Sequence, residues 1–558
     1  MKKLLKLPRV LTRSLSLSLS LSLSLSLSLI SLSAQTLTTS NLPIVVINTF
    51  GVSIPNEPKI TASMNIVDNG SGQINHINGP FNAYNGSIGI ELRGSSSQGY
   101  EKKPYGIETR DANGEDLNVP LLGMPEESDW ALIAPLNDKT LMRDIIMHAY
   151  ARTALPWSPR TRYCEVVING DYKGVYALIE TVKRDANRVA IKKLEEEDIS
   201  GNALTGGYIL RMDKYGSDGG LGGNWASPYP PIPGSWQQTW FQYHYPKEED
   251  IQPEQEAYIQ QHITNFENML ASQNFAANYA DWIEVDTWVD YLLLQELGKN
   301  VDGYRLSAYF YKHRDDEGGK IGMGPIWDFN ISLGIGDYCG GADHTGWAKD
   351  FNIICGGDAW VIHFWWTRLW SDPAFRNRVG ERWAELRANQ WSNAALFGEI
   401  NTNEALLAQA RVRNFQRWPV FGQYVWPNAF IGNNYQEEMN YLRTWLTNRL
   451  AWLDQNMTLL VETDTTENTP MPASVNPNPA QERLWVTLPR RANSTTLTPV
   501  YDFLLYDASG RLVLRQNDLS GEMPIPIELN GQFPQGLYFW QLFGRKIPGA
   551  AGKVILAP

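Results

Sequence analysis

Two aspartates flanking a hairpin pattern are the residues of this 558-residue chain that most clearly could do chemistry together. Asp302 sits just past an apolar-periodic segment, with Ser307 opening the run Ala308–Lys312. The turn Arg314-Asp315-Asp316-Glu317-Gly318-Gly319 then returns the chain along Lys320–Trp327 to Asp328-Phe329-Asn330. A hairpin brings its two ends together, so both carboxylates can reach one site. One Asp that accepts a hydroxyl proton, with a second that holds a Mg²⁺ bridging nucleotide phosphates, is what phosphoryl transfer requires. The same residues are also ordinary as a turn Asp and a strand-end Asp.

A cation for the phosphates is sought upstream. In the strand pattern Tyr105–Thr109, a period of two places Lys103, Tyr105, Ile107 and Thr109 on one face and Lys102, Pro104, Gly106 and Glu108 on the other. Lys103 then points with the apolar side, where an ammonium wants an anion. The alternative is a stem laid along the surface with its charge in water.

The elements that must position these groups read as a mixture of strands and helices. Pro43–Asn48 and Ile88–Leu92 have strand character, and Asp138–Arg152 reads as a helix with Asp138 at its N-cap. Tyr163–Ile168, the turn Asn169-Gly170-Asp171 and Val175–Glu180 form a hairpin signature. Strand with Lys, then helix, then two strands is the order of a kinase nucleotide lobe. A Gly/Pro/Trp-rich stretch to about Pro246 reads as a loop insertion. Glu254–Gln273 and Val285–Lys299 carry helical apolar spacing and open a helix-rich second lobe.

Bulk properties set the limits. A net charge of -12 offers no electrostatic footprint for DNA or RNA. With 43% hydrophobic residues and 21 Trp the chain can bury several cores, and 19% charged residues argue against wholesale disorder. None of the three cysteines lies in a zinc-type spacing. Cys339 and Cys355 share a Gly-rich segment and either bond in an oxidising compartment or stay free.

Several phrases together resemble the CotH family of atypical, kinase-fold protein kinases. They are Leu92-Arg93-Gly94-Ser95-Ser96 with Lys102-Lys103-Pro104-Tyr105, then Asp138 to Asp144, Val167-Ile168-Asn169-Gly170 with Gly174 to Glu180, and Gly207-Tyr208-Ile209. Asn300-Val301-Asp302 and Pro325-Ile326-Trp327-Asp328 complete the series. The resemblance implies transfer of a phosphoryl group from ATP to Ser or Thr of protein substrates, with Mg²⁺ or Mn²⁺. It makes Asp302 the catalytic base and Asp328, with Asn330, the metal site. Lys103 and Arg93 would meet phosphates, Trp327 would stack on adenine, and Glu180 would be hinge-like. Arg143 is a further phosphate or lobe-ordering candidate. Two departures stand out: Ser307 where a kinase pattern offers Asn, and Asn330 where many members carry a second Asp. No G-x-G-x-x-G loop is present. A degenerate kinase fold acting as a cell-surface adhesin is the competing reading, with the aromatic stretches Trp225–Tyr245 and Trp360–Trp370 as binding surfaces.

The ends suggest export. Lys2, Lys3, Lys6, Arg9 and Arg13 precede a Leu/Ser alternation and the small residues before Gln35, the order of a secretory signal over residues 1–34. Beyond it no run is long and apolar enough to span a membrane. Val461 to Asn476 is linker-like, and short β-runs follow from Pro477. Asn476-Pro477-Asn478-Pro479, Tyr506-Asp507-Ala508-Ser509-Gly510, Gly536-Leu537-Tyr538 and Gly552-Lys553-Val554-Ile555 resemble the sorting domain of type IX secretion cargo, which implies that machinery as a partner. The expected fold is α+β. It comprises a two-lobed kinase-like domain (35–465; lobes about 42–215 and 250–460, insertion about 215–250), a linker (466–476) and a small all-β sandwich (477–558).

Overall fold

Alternating apolar residues build the first layer of the structure. The computed structural model describes residues 36–215, 224–461, 474–488, 500–520, 524–529, 531–545 and 550–557. The expected signal sequence, and the linker up to residue 473, lie outside them. Seven strands, β1 (Ile44–Asn48), β2 (Ile60–Val67), β3 (Tyr84–Leu92), β4 (Tyr105–Arg110), β5 (Asp129–Ile133), β6 (Thr161–Ile168) and β7 (Asp171–Glu180), close into a barrel. The order is β1-β2-β3-β4-β5-β7-β6, and β1 closes the ring by pairing in parallel with β6 from Ile44↔Glu165 to Ile47↔Ile168. Every second residue, including Val45, Ile47, Met64, Ile66, Ile88, Ile90, Ile107, Trp130, Leu132, Val166 and Leu178, joins one core.

The barrel revises the kinase-lobe expectation: the Lys strand, helix and strand pair occur in the expected order, but the strands form a closed seven-stranded ring. The β6–β7 turn is as read, with Asn169 and Gly170 both left-handed (φ 52° and 80°), as a type I′ turn requires.

Helix α1 (Arg143–Ala151) starts five residues later than expected because Leu141 is left-handed. Asp138 still serves the helix end. Its Oδ2 accepts the N–H groups of Met142 (2.9 Å) and Arg143 (2.7 Å), and its Oδ1 takes the Arg143 guanidinium at 2.6 Å. Arg143 is thereby a buried ion-pair partner and is not free for phosphate.

A second antiparallel sheet follows, formed by β8 (Tyr208–Met212), β9 (Asn224–Ala226), β10 (Trp240–Tyr245), β11 (Ala308–Lys312) and β12 (Ile321–Met323) in the order β9-β10-β8-β11-β12. The stretch expected to be a loop insertion thus supplies two strands. Its Trp225 ring stacks on Tyr243 and meets Phe241 at a tilt, and strand pairing satisfies the backbone beneath them. Helices α2 (Pro253–Ala271), α3 (Phe275–Trp282) and α4 (Val285–Gly298) come between β10 and β11; α2 and α4 lie close to the expected ranges, and α3 was not expected. After β12 come α5 (Phe364–Ser371), α6 (Pro373–Ala388), α7 (Asn393–Leu406), α8 (Ala410–Arg417) and α9 (Tyr435–Thr458). These helices, α1 and the second sheet share the largest core. Inside it, Arg449 of α9 donates to the Glu296 carboxylate of α4 at 3.1 Å, and both side chains are fully buried. Cys339 and Cys355 are disulfide-bonded.

The C-terminal region is all-β, as expected. It has a three-stranded sheet, β13 (Ser474–Asn476), β14 (Arg483–Thr487) and β17 (Ile525–Glu528), and a four-stranded sheet, β15 (Val500–Tyr506), β16 (Leu512–Leu519), β18 (Gly536–Arg545) and β19 (Ala550–Leu556). Their inner faces form a separate core around Leu484, Val486, Phe503, Leu505, Ile527, Trp540 and Val554. Among the described residues no helix is long and apolar enough to cross a membrane.

Candidate active site

The hairpin of β11 and β12, in register at Phe310↔Met323, delivers Asp302 and Asp328 to one place. One side chain ties them directly. Asn300 accepts the Asp302 N–H through Oδ1 (3.2 Å) and donates through Nδ2 to the Asp328 carbonyl (3.2 Å). Lys299, Tyr304, Ser307, Asp328 and Leu333 all have left-handed backbones in this short segment. Such strain in non-glycine residues persists only where surroundings enforce it, and it concentrates at functional sites. Helix α1 does part of the enforcing: Asp144 Oδ1 accepts the Phe329 N–H at 2.8 Å, and Arg143 Nε donates to the Leu333 carbonyl at 3.3 Å.

Asp328 is open to solvent yet walled by protein, the situation of a group on the floor of a cleft. Its carboxyl is pushed up to about 7, first by desolvation and then by Asp144, Asp302 and Asp213, with Arg93 opposing. Asp302 is raised by desolvation and by Asp213 and Asp358, against Arg305 and Lys214. Asp144 is pushed up to about 6, chiefly by burial. Asp213, just past β8, accepts from the Ser307 hydroxyl at 3.4 Å and lies 3.6 Å from Arg211 Nε. Around Asp328 the neighbouring carboxylates therefore outnumber the opposing cation.

Arg93, at the end of β3, brings the barrel to this site. Its guanidinium lies 5.2 Å over the Trp327 ring, and it is close enough to Asp328 to feel its charge. That contact covers one face of Trp327, while His148 meets the ring edge-on. A base stacking on Trp327 therefore has the opposite face or must displace Arg93. Asn330 is half-buried, two residues past Asp328.

Lys103 and Glu180 are engaged elsewhere. The Lys103 Nζ donates to the Gln98 carbonyl at 2.6 Å. Lys102 is the buried lysine of the pair, donating to the carbonyls of Pro135 (3.1 Å) and Val175 (2.6 Å) and to Asn414 Oδ1 (3.0 Å). Desolvation pushes its pKa down to about 7. The alternation of Tyr105, Ile107 and Thr109 holds, but β4 begins at Tyr105. Extending the period back through Pro104 carries it into a bend, where it no longer applies. Glu180 is buried against Arg160, whose N–H and guanidinium both donate to its carboxylate.

Sequence reasoning missed Asp144, Asp213, Asn300 and Arg305 as members of the site. Asp144 and Asn300 lay inside phrases already singled out, without a role. Asp213 follows a recognisable strand, but no local spacing relates it to Asp302.

Among the described residues no three His, Cys, Asp or Glu side chains form a ready metal-ligating group. The donor chemistry nonetheless fits Mg²⁺, a hard cation that takes one or two carboxylates and completes its shell with phosphate oxygens and water. Asp328, with Asp213 or Asn330 beside it, would supply the protein's share. When bound, the ion would neutralise developing phosphate charge.

A protein-family model described as CotH kinase protein matches residues 90–453. The chain belongs to the CotH kinase family. The CotH match takes in Arg93, Lys103, Asp144, Asp213, Asp302 and Asp328. It leaves out β1, β2 and the C-terminal sheets. No curated protein matches the chain.

Proposed function

We propose that this CotH-family chain is an exported protein kinase that transfers the γ-phosphoryl group of ATP to Ser or Thr hydroxyls of extracytoplasmic proteins, using Mg²⁺ or Mn²⁺. The observation that carries the reading is the convergence of Asp302, Asp328 and Asp213 beside Arg93 at the hairpin end, where Asp328 faces three carboxylates and one opposing cation. Like charges crowded in one cleft are costly, and a divalent cation with a polyphosphate is a partner that offsets them. Asp302 is the base that takes the hydroxyl proton, Asp328 and Asn330 hold the metal, and Arg93 meets phosphate. The barrel and the helical region act as the two lobes. Lys103 reaches phosphate only by leaving Gln98. Export through the residue 1–34 signal, with the C-terminal sheets as a type IX sorting unit, places the mature chain outside the cell or on its surface.

The test is incorporation of labelled phosphate from ATP with Mg²⁺ or Mn²⁺ by residues 35–465, beside Asp328→Ala. Incorporation that falls at least about a thousandfold in the variant supports a kinase. A parent chain that neither incorporates phosphate nor binds nucleotide leaves the second reading, a catalytically weak surface adhesin. That reading is favoured by Ser307 and Asn330 in the site and by Trp236, which is 73% exposed.

A further inference from the structure

Asp302 is held by an apparatus that the kinase pattern did not identify. Arg305 Nη2 donates to Asp302 Oδ1 at 2.8 Å, Nη1 donates to the Trp360 carbonyl at 2.7 Å and lies 3.4 Å from Asp358 Oδ1, and Nε donates to the Val301 carbonyl at 3.1 Å. The guanidinium plane also sits 4.2 Å over the Phe351 ring. With its side chain only 3% exposed, Arg305 is fixed on both its edges and its face. Tyr338 reaches the same Asp302 oxygen at 3.5 Å while its ring stacks on Trp426.

Apart from Val301 and Trp426, these partners flank one covalent link. Tyr338 immediately precedes Cys339, Phe351 lies just before Cys355, and Asp358 and Trp360 follow it. The Cys339–Cys355 bond, with the two cysteine Cα atoms 5.6 Å apart, therefore joins the stretch whose Tyr338 reaches Asp302 to the stretch whose Phe351, Asp358 and Trp360 hold Arg305. Taking Asp302 as the base proposed above, we infer that Arg305 is its positioning residue and that the Cys339–Cys355 disulfide holds Arg305 in place. Arg305 and Tyr338 both occupy Oδ1, so Oδ2 is the oxygen left to accept the substrate proton. Arg305 also sets the charge balance. Lys214 is the other cation acting on Asp302, whereas Asp213 and Asp358 oppose its ionisation and Asp328 lies across the site. Without Arg305 the carboxylate would face mostly like charge, and it would become a base only at higher pH.

The experiment uses the full chain with Arg305→Met, Arg305→Lys and the double variant Cys339→Ser/Cys355→Ser, with Asp302→Asn as reference. Transfer from labelled ATP to casein is followed against pH, and amide hydrogen exchange is read in the peptide spanning residues 300–307. For Arg305→Met, kcat falls about 10- to 100-fold, the acidic limb of its pH profile moves up by about one unit and KM for ATP is nearly unchanged. Exchange in 300–307 speeds up. Arg305→Lys restores the limb, and the double variant shifts both readouts in the same direction by less. If Arg305→Met leaves both the limb and the 300–307 exchange where they were, Arg305 only clamps residues 351–360 and the inference is overturned. If the parent transfers no phosphate, the kinase reading fails by itself. Exchange then decides the positioning role: faster exchange in Arg305→Met and the double variant supports it, and unchanged exchange overturns it.

Discussion

At Asp328 the demands of a site and of a stable fold oppose each other. The residue is left-handed, sits among Asp144, Asp302 and Asp213, and has Arg93 as its main opposing charge. Its folded pKa, about 7, lies above the ordinary carboxyl value near 4, so between those pH values the folded chain keeps a proton that the unfolded chain releases. Stability therefore falls as pH rises through that window, and the loss is complete above it. Asp328→Asn removes the charge, so the variant is expected to be more stable than the parent by roughly 1–2 kcal/mol at pH 8 in chelator, discounted because water reaches the group. At pH 4 the two should match. Denaturant titration at both values checks this, and equal stability at pH 8 would refute the accounting. The two aspartates were legible in the sequence because a hairpin makes its own ends meet. Asp213 and Asp144 were not, since their approach depends on the packing of β8 and α1, which no spacing encodes. Lys103 was misread because strand periodicity was carried beyond the strand.

Among elements, the junction of the barrel with the helices depends on Lys102. Its ammonium links the Val175 carbonyl of β7, the Pro135 carbonyl and the Asn414 side chain of α8, and lies 5.0 Å over the Tyr176 ring. Asn414 Oδ1 also accepts the Val175 N–H at 3.0 Å. Lys102→Ala leaves a cavity and unpaired carbonyl oxygens, for an expected loss of about 3 kcal/mol in unfolding free energy, read from the denaturation midpoint. A variant as stable as the parent would remove Lys102 from this role. Elements with strong local signals were readable: the Asn-Gly hairpin of β6 and β7, and α2 and α4 with their helical apolar spacing. The start of α1 was displaced by one left-handed leucine. β9 and β10 were hidden because Trp, Pro and Gly in that stretch resemble loop composition, although the aromatic rings pack into the large core.

For the molecule as a whole, the apolar clusters divide cleanly. The residues packed around Phe503 and Trp540 all lie between Val475 and Leu556, and none joins the barrel or helical cores. Calorimetry should therefore show a separate transition for the C-terminal sheets, absent from a chain ending at residue 461 and leaving the remaining transitions in place. A single transition that shifts on truncation would contradict this. The mixture of α and β, the all-β end and the helix-rich middle could be read from pattern alone. Closure of the barrel could not, because it rests on a long-range pairing. Strand β1 has β2 on one edge and β6 on the other, and the Thr49 N–H binds the Asn169 side chain 120 residues away. During synthesis at about 5–20 residues per second, that second edge waits roughly ten seconds for its partner to leave the ribosome. Through that interval the nascent Ile44–Asn48 strand presents one open edge, on which another unpaired strand can dock.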